Sequence, residues 1–158
     1  MNENTFEVPP ISENELAFLD DHGVNPVLRA LYERVRETIL LFGNIEVRAT
    51  REYITFRHPY HQYTGYSRQP IVKYGTLFRV TFRDNSIFLN INTLGKTIRD
   101  PKNILKKVND KTYMYTTTIK PLASMDGLMT IIPQVIYCIS HKIRVVRIHG
   151  IFVTIKEG

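Results

Sequence analysis

The sequence predicts an α+β fold: a mainly antiparallel sheet of four to six strands with two main helices packed on one face. Three observations predict it. In residues 53–57 and 77–83 the side chains alternate, so that Ile54, Phe56, Phe78, Val80 and Phe82 share one face. Tyr53, Thr55, Arg57, Arg79, Thr81 and Arg83 share the other, which is the period-two signature of a sheet buried on one side. Asp84-Asn85 is a two-residue turn tolerant of positive φ, and it closes an antiparallel hairpin onto Ser86–Ile91. Apolar residues also recur at helical spacing, first at Leu28, Leu31, Val35, Ile39 and Phe42, then at Leu128, Ile131, Ile132, Val135 and Ile139. These two stripes are the cover that the apolar sheet face needs.

Residues 1–11, which contain Pro9-Pro10, read as a loose segment. Ser12 caps a short acidic helix from Glu13 to about Asp21, anchored by Leu16 and by Leu19 or Phe18. Asn25 as N-cap and Pro26 at the first helical position open the first main helix, and Gly43 predicts its stop. Arg29, Glu33, Arg34, Arg36 and Glu37 lie off the apolar stripe and read as a solvated face. One strand is expected over residues 48–57, followed by a connection of about 18 residues, His58 to Gly75, which is long for a hairpin. Asp100 as cap and Pro101 behind it predict a short helix to Val108, with Ile104, Leu105 and Val108 turned inward. Residues 113–119 are rich in β-formers and predict a strand that Pro121 ends.

Ser124 caps the second main helix, with Asp126 well placed in its first turn, and Pro133 inside it predicts a kink or an unpaired carbonyl. Cys138, the single cysteine, reads as a small buried hydrophobe on that helix. The β-prone tail from Arg144 to Ile155, with Gly150 at a bulge or turn, predicts one or two strands that complete the sheet or serve an intersubunit contact.

With 158 residues the chain reads as an acidic arm, 1–25, followed by one α+β domain, 26–158. No apolar run approaches the roughly 18 residues of a membrane span, and no signal-peptide pattern opens the chain. Lone Cys138 rules out an internal disulfide, so the expected setting is cytoplasmic, without a membrane partner.

Charge is distributed unevenly. Residues 1–25 hold six carboxylates and no Lys or Arg, whereas the remainder holds 21 basic and nine acidic residues, a net +12 that attracts polyanions. The expected partner is therefore nucleic acid, bound non-specifically through phosphates by Arg57, Arg79, Arg83, Lys102, Lys106 and Lys107. Tyr53, Tyr63 and Tyr66 are candidate stacking partners, and Arg68 lies in the same Tyr/His-rich connection. The alternative is a protein-interaction or dimerisation module, in which that connection grips a partner or small ligand and the C-terminal strands pair two copies. His58 and His61 have no local cysteine or carboxylate to complete a metal site, and no cofactor is implied. The chain carries no Gly-rich phosphate loop, no Gly-x-Ser-x-Gly elbow and no His/Cys cluster, and Glu46, Glu52 and Asp84 are the only carboxylates near the sheet. The reading is accordingly an accessory module without chemistry of its own.

Four stretches also carry a resemblance: Leu31-Tyr32-Glu33-Arg34-Val35-Arg36, Thr50-Arg51-Glu52-Tyr53-Ile54-Thr55-Phe56, Asp100-Pro101-Lys102 and Ser124-Met125-Asp126-Gly127-Leu128. Over Pro26 to Tyr137 the chain resembles a small uncharacterised domain family of bacteria and archaea. That family is often labelled a predicted transport protein and is also found fused behind restriction-endonuclease-like nuclease domains. The resemblance implies an association with DNA-processing or defence systems. It brings no active site, because the family has none established. The acidic arm, the Tyr/His connection and the C-terminal β tail depart from the family pattern.

Overall fold

The computed structural model describes residues 7–62, 71–108, 112–140, 144–148 and 151–155. Helices α1 (Glu13–Asp21), α2 (Pro26–Leu41) and α3 (Asp126–Ser140) cover one face of a six-stranded antiparallel sheet. Its strands are β1 (Glu46–Ala49), β2 (Ile54–Gln62), β3 (Ile71–Arg83), β4 (Ser86–Ile91), β5 (Lys106–Lys107) and β6 (Tyr115–Ile119), in the order β1-β2-β3-β4-β6-β5. The fold class is the one the sequence predicts.

Both N-caps form as their sequences dictate. Ser12 Oγ accepts the Glu15 N–H while the Glu15 carboxylate accepts the Ser12 N–H, a reciprocal capping box. Asn25 Oδ1 accepts the Leu28 N–H, and Pro26 follows at the first helical position. Phe18 and Leu19 are buried and hold α1 down, whereas Leu16 is exposed and is no anchor. Ile54, Phe56, Phe78 and Val80 are fully buried with Leu31, Val35, Ile39, Ile131, Ile132 and Val135, so the helical stripes and the apolar sheet face meet in one core. Asp84 and Asn85 take φ of 48° and 56°, as a two-residue hairpin turn requires.

The structure corrects further expectations. Residues 48–57 are not one strand but the hairpin β1–β2, with Ala49 opposite Ile54 and Arg48 opposite Thr55. Thr50 makes the turn: its Oγ1 donates to the Tyr53 carbonyl and accepts from the Glu52 and Tyr53 N–H groups. The connection 58–75 is largely strand, since β2 runs to Gln62 and pairs with β3 from Ile71, leaving only residues 63–70 outside the described part. A bulge opposite Phe56 and Arg57 leaves Leu77 without a partner and buries it beside Phe78. Asn92 seals the bulge: its N–H reaches the Leu77 carbonyl at 2.8 Å and its Nδ2 the Thr76 carbonyl at 2.9 Å.

Arg36 is not solvated; it is buried against Glu15. Nor does Gly43 end α2 by a left-handed residue, because the helix stops at Leu41 with Phe42 at φ −100°. Gly43 instead permits a close approach, since a Cβ there would lie 3.1 Å from the Ile136 side chain of α3, which would have to shift by a few tenths of an ångström.

The short helix after Asp100 does not form. Asp100 instead accepts the Ile104 and Leu105 N–H groups at 3.0 and 2.9 Å, Asn103 turns at φ 51°, and the chain enters edge strand β5. A cap and a proline mark a turn as well as a helix start, and Ile104 and Leu105 reach the core from either. Asp100→Ala strands two backbone donors and should lower stability by about 1–2 kcal/mol, or Tm by about 3–6 °C in a thermal melt.

The tail forms β7 (Arg144–Ile148) and β8 (Ile151–Ile155), which pair with each other in a separate two-stranded sheet rather than extending the larger one. Residues 149–150, including Gly150, lie outside the described part.

Candidate nucleic-acid interface

The sheet face opposite the helices is organised by register. Arg48 faces Thr55, Thr55 faces Arg79, Arg79 faces Asn90, Asn90 faces Thr116 and Thr116 faces Lys106. One residue from each of six strands thus forms a row across the sheet, roughly 24 Å long at the usual interstrand spacing. Flanking rows carry Glu46, Arg57 and Thr76 on one side, and Thr81, Phe88 and Thr118 on the other, with Arg83 beside Ser86 beyond. Threonine, serine and asparagine suit the floor because long neighbours can lie over them: Thr55, Ser86, Asn90 and Thr116 are buried, while Arg48, Arg83 and Lys106 are exposed.

Arg79 is the centre of this face. Its guanidinium lies 4.7 Å from the centroid of the Tyr113 ring and 5.2 Å from that of Tyr53, between two aromatic rings. With the Asn90 amide oxygen turned toward it, Arg79 donates Nε–H and an Nη2 proton at 2.9 and 2.6 Å. Arg83 lies 4.2 Å over the Phe88 ring, and Arg57 is paired with Glu46. These arginines are therefore held in fixed orientations by rings and hydrogen bonds. Among the described residues, five cations, Arg48, Arg57, Arg79, Arg83 and Lys106, share the face with one carboxylate, Glu46.

The described part of the acidic arm, residues 7–25, is held on the helix side and at the end of the sheet. The Phe18 ring of α1 packs 6.1 Å from Phe82, on the helix side of β3, and Asp20 is paired with Arg29 of α2. His22 and Asn25 fasten the α1–α2 connection to the end of the sheet through the Arg51 carbonyl and Asn85.

Of the residues singled out in the sequence, Arg57, Arg79, Arg83 and Lys106 come together on this face with Tyr53 at its margin. Lys107 belongs to the opposite register, facing Tyr115 in the row of Ile91 and Phe78, and Lys102 sits in a turn outside the strands. Tyr63, Tyr66 and Arg68 lie outside the described residues. Arg48, Asn90, Tyr113 and Thr116 were missed. Arg48 was lost because counting alternation through residues 48–57 puts it on the buried face, and the Thr50 turn reverses that parity. The alternation of Phe88, Asn90, Thr116 and Thr118 was the available signal for the rest.

Glu46, at the start of β1, is taken by Arg57, Glu52 lies in the β1–β2 turn and Asp84 in the β3–β4 turn. Among the described residues no three His, Cys, Asp or Glu side chains converge as metal ligands would, and no helix is long and apolar enough to cross a membrane. No family model, no curated protein and no solved structure matches this chain.

Proposed function

We propose that the chain is a non-catalytic nucleic-acid-binding domain that holds the phosphate backbone across its open sheet face. The observation that carries this reading is the row Arg48, Thr55, Arg79, Asn90, Thr116 and Lys106, with cations at both ends and at the middle and hydroxyl or amide groups between. Cations on a strand surface neutralise phosphates, while Tyr53 and Phe88 offer partly exposed rings on which unpaired bases can stack. Arg79 and Arg83 are pre-oriented by the rings they touch, so less side-chain entropy is lost on contact. No base-edge readout is built into this face, and binding is sequence-tolerant. The family resemblance adds a setting, as an accessory to DNA-processing or defence enzymes.

Fluorescence anisotropy with single-stranded DNA, single-stranded RNA and duplex DNA at graded salt tests the proposal. Wild type is expected to show a log–log salt slope of about −3 to −4, as four or five phosphate contacts give. Arg48→Glu combined with Lys106→Glu changes two exposed end positions of the row, so the fold should persist. It should weaken binding at least tenfold at low salt and flatten the slope by about 1.5–2. Weak, salt-insensitive binding that is equal in both proteins rejects the reading.

A further inference from the structure

We propose that the outer side of α3, together with the connection 96–101, is a docking groove for an acidic, amphipathic segment of a partner protein. This site lies on the helix side and is independent of the open sheet face. Two clefts succeed one another along α3. One, of about 450 Å³, is lined by Lys96, Ile98, Pro133, Tyr137 and Cys138. The next, of about 350 Å³, is lined by Arg99, Asp100, Pro101 and Thr130. From Thr130 to Cys138 the helix rises roughly 12 Å, about two turns of a bound helix.

The groove is prebuilt. Gln134 holds the connection against α3 by both backbone groups of Arg99: its Oε1 accepts the Arg99 N–H at 2.8 Å, and its Nε2 donates to the Arg99 carbonyl at 2.9 Å. Ile98 and Ile104 pack onto the core on either side of that clamp. The segment between β4 and β5 is therefore fixed although it has no regular secondary structure.

The floor and rim specify the occupant. On a helix whose inner residues are buried, Tyr137 is 61% exposed and lines the cleft with Ile98 and Pro133, an apolar surface that a partner can cover. The rim is cationic, with Lys96, Arg99 and Lys102 all exposed. The one carboxylate among residues 96–102, Asp100, accepts the Ile104 and Leu105 N–H groups and offsets one of the three cations, so the rim keeps a net positive charge. An apolar floor edged by cations matches a segment with apolar anchors on one side and carboxylates on the other. Nucleic acid would leave the floor uncovered.

The test is chemical-shift mapping of the full 15N-labelled chain with a synthetic amphipathic helix of about 14 residues bearing Leu and Phe at i, i+3, i+4 and i+7. Its other positions are Asp and Glu, and a control peptide replaces these with Lys. The acidic peptide is expected to shift amides confined to residues 96–101 and 129–138, and the basic peptide is expected not to. Lys96→Glu with Arg99→Glu, both exposed side chains, should weaken the acidic peptide about tenfold or more while leaving the spectrum dispersed. Saturation of the sheet face with an oligonucleotide should leave peptide affinity unchanged. The proposal is overturned if both peptides bind equally, if the double variant binds like wild type, or if an oligonucleotide rather than the acidic peptide perturbs the α3 groove. Failure of the sheet-face reading would appear separately, in the oligonucleotide titration.

Discussion

Arg36→Met should lower the unfolding free energy by about 3–5 kcal/mol, because breaking a buried pair leaves its other charge uncompensated. For a chain of this size that is about 10 °C or more in Tm. Arg36 is 4% exposed and Glu15 1%. Arg36 Nε donates to Glu15 Oε2 at 2.8 Å and Nη2 to Oε1 at 3.1 Å, while Nη1 donates to the Pro9 carbonyl at 2.7 Å and Nη2 to the Pro10 carbonyl at 3.0 Å. The Tyr32 hydroxyl also donates to Glu15 Oε2, at 2.5 Å. One guanidinium therefore joins α1, α2 and the segment that leads into α1, and no methionine can replace those bonds.

The same cluster sets an acid dependence. Burial pushes the Glu15 carboxyl up, but the hydrogen bonds from Arg36 and Tyr32 and the Ser12 N–H outweigh it and hold the group below the ordinary carboxylate value. A carboxyl depressed in the folded state adds stability above its unfolded pKa, and that stability is lost as pH falls through the folded one. Wild type should therefore lose stability below about pH 4.5. In Arg36→Met burial is opposed only by the Tyr32 hydroxyl and the Ser12 N–H, so the carboxyl rises relative to wild type and protonation relieves the buried charge. The deficit of the variant in urea melts should thus shrink between pH 7 and pH 4. A deficit that stays constant with pH, or that is under about 1 kcal/mol, contradicts the role given to this pair.

Arg79→Leu should cost about 2–3 kcal/mol and also weaken nucleic-acid binding. The loss combines two cation–π contacts of about 0.5–1 kcal/mol each with charged hydrogen bonds to an amide. Asn90, which is buried, is left with an unanswered oxygen, and Tyr53 and Tyr113 lose the group between them. Arg79→Lys keeps the charge but has neither a plane to lie between two rings nor paired N–H groups for one oxygen, so it should restore less than half of the stability. Oligonucleotide affinity separates charge from geometry: recovery of full affinity by Lys without recovery of stability would make Arg79 a simple phosphate contact. Melts and anisotropy on the two variants measure both.

Which features could be read in advance follows from the range of the forces involved. Caps and turns are local, and Ser12, Asn25 and the Asp84-Asn85 turn act where their sequences place them, while Ser124 Oγ accepts the Asp126 N–H from just ahead of α3. Periodicity is also local, so the buried residues of α2, α3 and β3 are visible in the chain. Ambiguity begins where one local signal serves two structures. Asp100-Pro101 opens a turn as readily as a helix, and Thr50 ends one strand and starts another within a run that alternates convincingly. One extra or missing residue reverses the faces of everything beyond it, so Arg48, on the far side of the Thr50 turn, joins Arg79 only through strand pairing.

By itself the sequence determined the α+β class, the two covering helices, the buried sheet face and the separation of an acidic arm from a basic body. Only the tertiary structure decided which charges are spent internally and which face outward. Arg36 and Glu15 look like any solvated pair until α1 is laid across α2, and Lys106 and Lys107 look alike until β6 assigns them to opposite faces. The physical reason is that charge and periodicity are properties of neighbours along the chain. Desolvation and register depend on partners as far as 32 residues away, and those partners are fixed only when the sheet and its helices close on one another.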